Sequence, residues 1–318
     1  MKIASKSARS TCNARSLQSL SILALAVIGV FCGSSAALAT PLLGSDLASF
    51  TVLGASTVTN VPPSTISGNV GVWLSGGANS ITGFCVSPGV PCTDLQVTGG
   101  MVHAGTPLAQ SAQGQLTTAR INLESLAGGP TTALAANLTL AGTLAPGVYT
   151  VPAGATNLSG ALTLDGGGNA NAAWVFLMAD TLITSDNSVV NVINTGSGAG
   201  VYWDVPSSAT IAFNTTFVGN ILALADIGMI TSATDLCGRA LADTGQVTLQ
   251  MNSLSGNCTG ELAGTNGLSG GLDVTTSTSG GPDVVTILSF APVPEPATLA
   301  LLGLGLAGLG FSRRKRSS

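Results

Sequence analysis

Short apolar runs separated by Gly, Asn, Asp and Ser dominate the middle of this 318-residue chain. Leu138–Leu144, Leu158–Leu164, Trp174–Met178, Val189–Ile193, Phe217–Leu224 and Gln246–Leu249 are the clearest. Runs of this length between turn-forming residues predict β-strands. Gly219-Asn220-Ile221-Leu222-Ala223 recurs as Gly238-Arg239-Ala240-Leu241-Ala242, nineteen residues on. At the same offset, Val201–Val205 is expected to occupy the place of Asn220–Leu224, and Ile230 that of Leu249. A period near nineteen suits one coil of an irregular parallel β-helix with three short strands. From Thr259 to Pro282 the chain turns rich in Gly, Ser and Thr and is expected to be a flexible tail, with one late strand at Val284–Phe290.

One segment breaks the β pattern. Thr106 and Pro107 offer an N-cap and a first helical residue. Leu108, Ala112, Leu116, Ala119, Leu123 and Leu126 then recur in steps of three and four. Gly128-Gly129-Pro130 ends the pattern. A helix over Pro107–Ala127 is about 31 Å long at 1.5 Å per residue. Six stacked coils span about 29 Å. The helix is thus expected to lie along the coils and cover one apolar side.

Both ends carry address segments. Lys2, Lys6, Arg9 and Arg15 precede an apolar run from Leu20 to Cys32 and a small-x-small site at Ala37-Leu38-Ala39. That order predicts a signal peptide over residues 1–39, cleaved after Ala39. At the other end, Pro294-Glu295-Pro296 precedes an apolar run from Leu299 to Phe311 and the basic cluster Arg313-Arg314-Lys315-Arg316. The run spans about 20 Å as a helix, against about 30 Å of hydrocarbon, so only transient anchoring in the inner membrane is expected. Motif, apolar run and basic tail in this order resemble the PEP C-terminal sorting signal of Gram-negative bacteria. The resemblance implies an exosortase-type membrane enzyme as partner, cleavage near Pro-Glu-Pro, and release to the cell surface or exterior. The expected organisation is a signal peptide, a β-helix domain over 40–258, a tail over 259–292 and the sorting signal over 293–318.

Four cysteines remain in an exported chain: Cys85, Cys92, Cys237 and Cys258. An even number in an oxidising compartment predicts two disulfides. Of three pairings the local one, Cys85–Cys92 and Cys237–Cys258, is favoured. Cys258 lies about one coil plus two residues after Cys237, and stacked strands are about 4.8 Å apart. That spacing matches the Cα separation of a disulfide, so the second bond is expected to join adjacent coils.

Charge narrows the functions. Between Arg15 and Arg313 the only cations are Arg120 and Arg239, against all 14 acidic residues. No basic stripe exists for phosphates, which argues against nucleic acid. One histidine, His103, and no lysine between the ends make a poor start for an enzyme, and no catalytic residue or cofactor is expected. The cysteine spacings do not suit zinc. Asp180, Asp226 and Asp243 fall near corresponding places in successive coils, so a carboxylate column is conceivable, but solvated turn residues are the better reading. A carbohydrate-active β-helix enzyme is accordingly the remotest option.

A different column remains. Thr184-Ser185-Asp186-Asn187, Phe213-Asn214-Thr215-Thr216 and Thr231-Ser232-Ala233-Thr234 each precede an apolar residue. In the coil register above they stack. Thr184, Asn187, Thr216, Thr231 and Thr234 are then expected to project from one side, away from the helix, as a surface of methyl, hydroxyl and amide groups.

Family resemblance gives that surface a use. The carriers are Leu43-Gly44-Ser45, Phe50–Leu53, Ser56–Asn60, Ile66–Val72, Val102-His103-Ala104-Gly105, Pro146–Tyr149, Leu162–Asp165, Thr215–Ala223 and Gly238–Ala242. Over about Leu43 to Asn252 the chain resembles secreted ice-binding proteins that fold as an irregular right-handed β-helix beside a long α-helix. The resemblance implies a non-enzymatic, monomeric protein whose partner is ice and its ordered water. Active members carry Thr, Ala or Gly, any residue, then Thr or Asn; here Ser185, Ser232 and Phe213 depart from that pattern, and Phe213 and Asp186 on or beside the face are expected to spoil its flatness. A structural or adhesive protein of an extracellular polysaccharide matrix is the alternative on the same scaffold.

Overall fold

The computed structural model describes residues 40–73, 80–276 and 283–292. The signal segment and Pro294, Glu295 and Pro296 lie outside the described residues. The fold is mostly β with one long α-helix. Among the described residues fifteen strands form one sheet, six a second, and three a small antiparallel sheet. All pairings in the two larger sheets are parallel.

The chain visits three parallel ladders in turn. The first runs through Gly147–Val151, Ala173–Met178, Gly200–Val205, Asn220–Ala223 and Gly238–Ala242. The second runs through Leu182–Ile183, Ala209–Ile211, Ile227–Met229 and Val247–Gln250. The third runs through Ala161–Asn169, Val189–Thr195 and the leading ends of Thr216–Ala223 and Thr234–Ala242. The predicted repeat is in place: Gly219 pairs with Gly238 and Ala223 with Ala242. The other offsets differ. Val205 pairs with Ala223, eighteen residues on, and Met229 rather than Ile230 pairs with Leu249. Turns of unequal length between the strands change the period from rung to rung.

Rung order does not follow the sequence. Phe50–Gly54, Val58–Val61 and Thr65–Ser67 pair onto the last C-terminal rung, through Val52–Ala240, Val58–Val247 and Thr65–Ser253. Asn69–Val72 and Val102–Ala104 complete that end. The long helix, Pro107–Ser125, then carries the chain back toward Thr132–Ala133 at the opposite end. Its hydroxyl cap is as expected: Thr106 accepts from the Ala109 N–H, and Pro107 follows. It ends two residues before the predicted Ala127, in a 3-10 turn over Leu126–Gly128.

Its buried stripe of Ala109, Ala112, Leu116, Ala119 and Leu123 packs on Phe50, Leu53, Val175, Tyr202, Leu222 and Leu241 of the first ladder. The alternate residues of those strands face the interior. There Tyr149, Phe176, Trp203 and Phe217 succeed one another rung by rung, with ring centroids 5.6, 4.1 and 4.9 Å apart. Such stacked rings add to the apolar burial.

Two further expectations are corrected. Leu138–Leu144 is not one strand: Leu138–Ala141 is a 3-10 turn capped by Asn137, whose Oδ1 accepts from the Thr139 N–H. Only Thr143–Leu144 is extended. The stretch after Thr259 is not a loose tail. Leu268, Leu272 and Val274 are buried, and Leu272–Thr275 pairs with Val284–Ile287. Arg239, fully buried, donates to the carbonyls of Ala48, Asn266 and Gly267 and so fastens this stretch to the body. Burial lowers its pKa to about 10, so it stays charged at neutral pH.

Both disulfides form as expected. Cys237–Cys258 has a Cα separation of 4.7 Å. Cys85–Cys92 closes a loop over the end rung, where Cys92 exchanges backbone bonds with Val102 at 3.0 and 2.9 Å. An edge strand covered in this way is not free to pair with another chain.

Candidate functional surface

The five predicted surface residues do not form one row. Thr184 is buried; its hydroxyl accepts from the Ala212 N–H at 2.8 Å and shares a bond of 3.3 Å with Thr215. It points into the stack because it follows Leu182 by two, and strand side chains alternate in direction. The expected alignment of Thr184 with Phe213 is two residues out. The Asn187 N–H bonds to the Phe213 carbonyl, and the Asn214 N–H to that of Thr231.

The reason is a left-handed corner between the second and third ladders. Asn187, Asn214, Ser232 and Met251 all have φ between 52° and 63°. Asn tolerates that conformation better than most residues. Here the two form a side-chain bond, Asn214 Nδ2 donating to Asn187 Oδ1 at 2.8 Å. Asn187 therefore sits exposed on the corner. Thr231 lies on one side of it, half-buried, its hydroxyl bonded to Gln250. Thr216 and Thr234 lie on the other side and pair directly, in a row that continues to Ser253 and Thr65.

A second threonine row was not foreseen. On the second ladder Ile183, Thr210, Gly228, Thr248, Thr59 and Thr82 are register partners in that order. Each lies between inward neighbours such as Ala209 and Ile211, or Val247 and Leu249, and each is at least partly exposed. The apolar-Thr-apolar triplets Ala209–Ile211 and Val247–Leu249, and Val58-Thr59-Asn60 with a buried Asn in the third place, carry the signal. These pairings contain no register shift, whereas the third ladder shifts between Asp165 and Asn169 and between Phe217 and Gly219. The third ladder also carries exposed Ile193 and Leu236. The ladder residues packed in one cluster with the long helix come from the first ladder, beside Leu43, Leu47 and Leu272 from outside it.

His103 and the three aspartates considered above have places of their own in the fold. His103 is buried with its ring edge against Phe50, and Nδ1 shares a 3.1 Å bond with Thr106 at the helix cap. Burial lowers its pKa. Asp180, Asp226 and Asp243 do not form a column. Asp243 lies under the long helix beside Arg120 at 3.3 Å, Asp226 accepts from the Gln246 N–H on an exposed turn, and Asp180 is exposed elsewhere. Among the described residues no group of three potential ligands is placed to hold a metal ion.

Comparisons with known proteins agree with this architecture. Residues 52–255 match the ice-binding-like family model, and residues 292–315 match the PEP-CTERM protein-sorting motif. An ice-binding protein of Nostoc sp. (strain HG1) is 36% identical over 297 residues, covering 93% of this chain and 94% of that protein. One from Flammulina populicola is 31% identical, covering 71% of this chain and 93% of its own length. Among solved structures, the ice-binding protein of the Antarctic ascomycete Antarctomyces psychrotrophicus aligns with a TM-score of 0.56 at 32% identity, over 68% of this chain and 98% of that one. A domain of Shewanella frigidimarina ice-binding protein 1 aligns with a TM-score of 0.57 at 27% identity, over 68% and 97%. The chain belongs to the ice-binding-like family and ends in a PEP-CTERM sorting motif.

Proposed function

We propose that this chain is an exported ice-binding protein without enzymatic activity, folded as an irregular right-handed β-helix, and that it meets ice through the second ladder. The observation that carries the surface assignment is the unshifted row Thr210, Gly228, Thr248, Thr59 and Thr82. Rungs of a parallel ladder repeat about every 4.8 Å. A threonine at successive rungs repeats a methyl group beside a hydroxyl at that interval. The methyls disfavour disordered solvent, and the hydroxyls hold waters in fixed places. Adsorption is then the sum of many weak contacts, so no residue is catalytic and no cofactor is needed. Thr231, on the flank of the same ladder, extends the surface toward the corner.

A second reading keeps the third ladder, because Thr216, Thr234, Ser253 and Thr65 are also register partners. The register shift just beyond that row, between Phe217 and Gly219, and the exposed Leu236 make the surface around it less regular, which is why the second ladder is preferred. Recrystallisation inhibition by Thr248→Tyr and Thr234→Tyr decides between them. Loss in the first alone supports the second ladder; loss in the second alone supports the third. Activity in neither, with wild-type protein also inactive, favours the matrix-protein reading. In all cases an exosortase-type enzyme is the proposed processing partner, acting near Pro294-Glu295-Pro296 while the C-terminal segment anchors the chain.

A further inference from the structure

The last described residues are stitched to the body almost up to the sorting motif. Val284–Ile287 pairs with Leu272–Thr275. The Leu288 N–H bonds to the Gly271 carbonyl at 2.9 Å. Asn171 Nδ2 donates to the Ser289 carbonyl at 3.4 Å, and the Ala291 N–H to Asn169 Oδ1 at 3.0 Å. The Ala170 N–H bonds to the Ala291 carbonyl at 2.6 Å, and Asn169 and Pro292 form an antiparallel bridge. The sorting motif begins at residue 292. From Pro292 to Leu299, where the apolar run starts, the chain reaches at most about 24 Å when fully extended.

That spacer is short beside the body it tethers. While the apolar run is in a bilayer, the side of the body that holds Pro292 must face the headgroups at close range. Its chemistry suits that position. Val284–Pro292 and Gly166–Ala173 contain no charged residue themselves, with Asp165, Asp273 and Asp283 at their borders. Val284, Ile287 and Phe290 are 56%, 45% and 64% exposed. Apolar side chains of this size sit favourably at the headgroup boundary, and aromatic ones anchor there.

We propose that the uncharged surface formed by Val284–Pro292 and the Asn169–Asn171 turn rests on the lipid bilayer before C-terminal cleavage, with Phe290 entering the interface. The partner is the lipid surface, and the proposal rests on the anchoring reading given above. Docking of this kind would hold the cleavage motif at the membrane face, where a membrane enzyme works.

The test uses the full chain with its C-terminal segment, reconstituted in phosphatidylcholine vesicles containing brominated acyl chains. Bromine quenches nearby indoles. Phe290→Trp is expected to gain a quenched emission component absent from Phe213→Trp, whose site lies at the different corner between the second and third ladders. A twelve-residue Gly/Ser insertion after Pro292 is expected to weaken that quenching at least twofold. Flotation of the Phe290→Trp chain with vesicles, without quenching of the introduced indole, overturns the proposal and leaves anchoring intact. Failure to float overturns both. Should Phe290→Trp misfold, protection of the Ser289 and Phe290 amides from hydrogen exchange on vesicle binding is the substitute readout, and its absence counts against the proposal.

Discussion

Replacing Asp204 by Asn should stabilise the protein at pH 8 and leave it nearly unchanged at pH 4. Asp204 lies under the long helix and is only 3% exposed. Its Oδ1 is 3.7 Å from Arg120 Nε, too far for a hydrogen bond. Arg120 is also claimed by Asp243 at 3.3 Å and Glu124 at 2.9 Å, so three carboxylates share one guanidinium. Burial outweighs the attraction of Arg120, and the Asp204 carboxyl is pushed up to about 7. A raised carboxyl pKa contributes stability below the unfolded value, near 4, and loses it as pH rises through 7. The gap of about three units corresponds to roughly 4 kcal/mol at its full extent, taking 1.36 kcal/mol per unit. Asn has the shape of the protonated acid and cannot ionise. Guanidinium unfolding of the mature, oxidised chain at pH 5 and pH 8 measures the effect. The wild type should weaken over that interval, and Asp204→Asn should exceed it at pH 8 by about 2–4 kcal/mol. An equal difference between the two proteins at both pH values would show that Asp204 ionises freely, and the linkage argument would fail.

Three further outcomes follow from local geometry. A Cβ at Gly228 meets no atom within 4 Å, so Gly228→Thr should raise the melting temperature by about 2–4 °C, the shift expected of roughly 1 kcal/mol in a domain of this size. It also completes the threonine row, and ice recrystallisation inhibition should increase with it. Met251 holds φ 52° on the exposed corner that Asn187 and Asn214 share, so Met251→Asn should add about 1 kcal/mol in denaturant unfolding. Opening Cys237–Cys258, whose ends are 21 residues apart in sequence, should cost about 3 kcal/mol in the chain-entropy model, and a non-reduced peptide map should recover that pair and no cross pair.

What the sequence reveals depends on how local the cause is. The cap at Thr106, the stripe from Ala112 to Leu123 and the Gly219–Gly238 repeat are patterns within one or two turns of chain, and all three are legible. The pairing of Val58 with Val247 is not, because no periodicity links an N-terminal rung to a C-terminal one. Thr59 and Thr82 thus gave no sign of sharing a row with Thr210 and Thr248. Thr184 was misplaced because the corner at Asn187 interrupts the two-residue alternation, and a slip along a strand exchanges core for surface. Arg239 shows the same limit from the other side. No local pattern marks this cation as buried; the carbonyls of Ala48, Asn266 and Gly267 and the Asn220 side chain, all distant in sequence, explain it.

The central claim is that the row on the second ladder meets ice. Thr248 stands in its middle, half-exposed, between Gly228 and Thr59. Tyrosine there keeps the strand and adds a ring to the outer surface alone, so the melting temperature should stay within about 2 °C, as for most surface changes. Binding of fluorescently labelled wild type and Thr248→Tyr to a single ice crystal, read as retained surface fluorescence after washing, tests the claim most directly. The wild type should coat the crystal and Thr248→Tyr should wash off; a folded Thr248→Tyr that coats ice as the wild type does would contradict it.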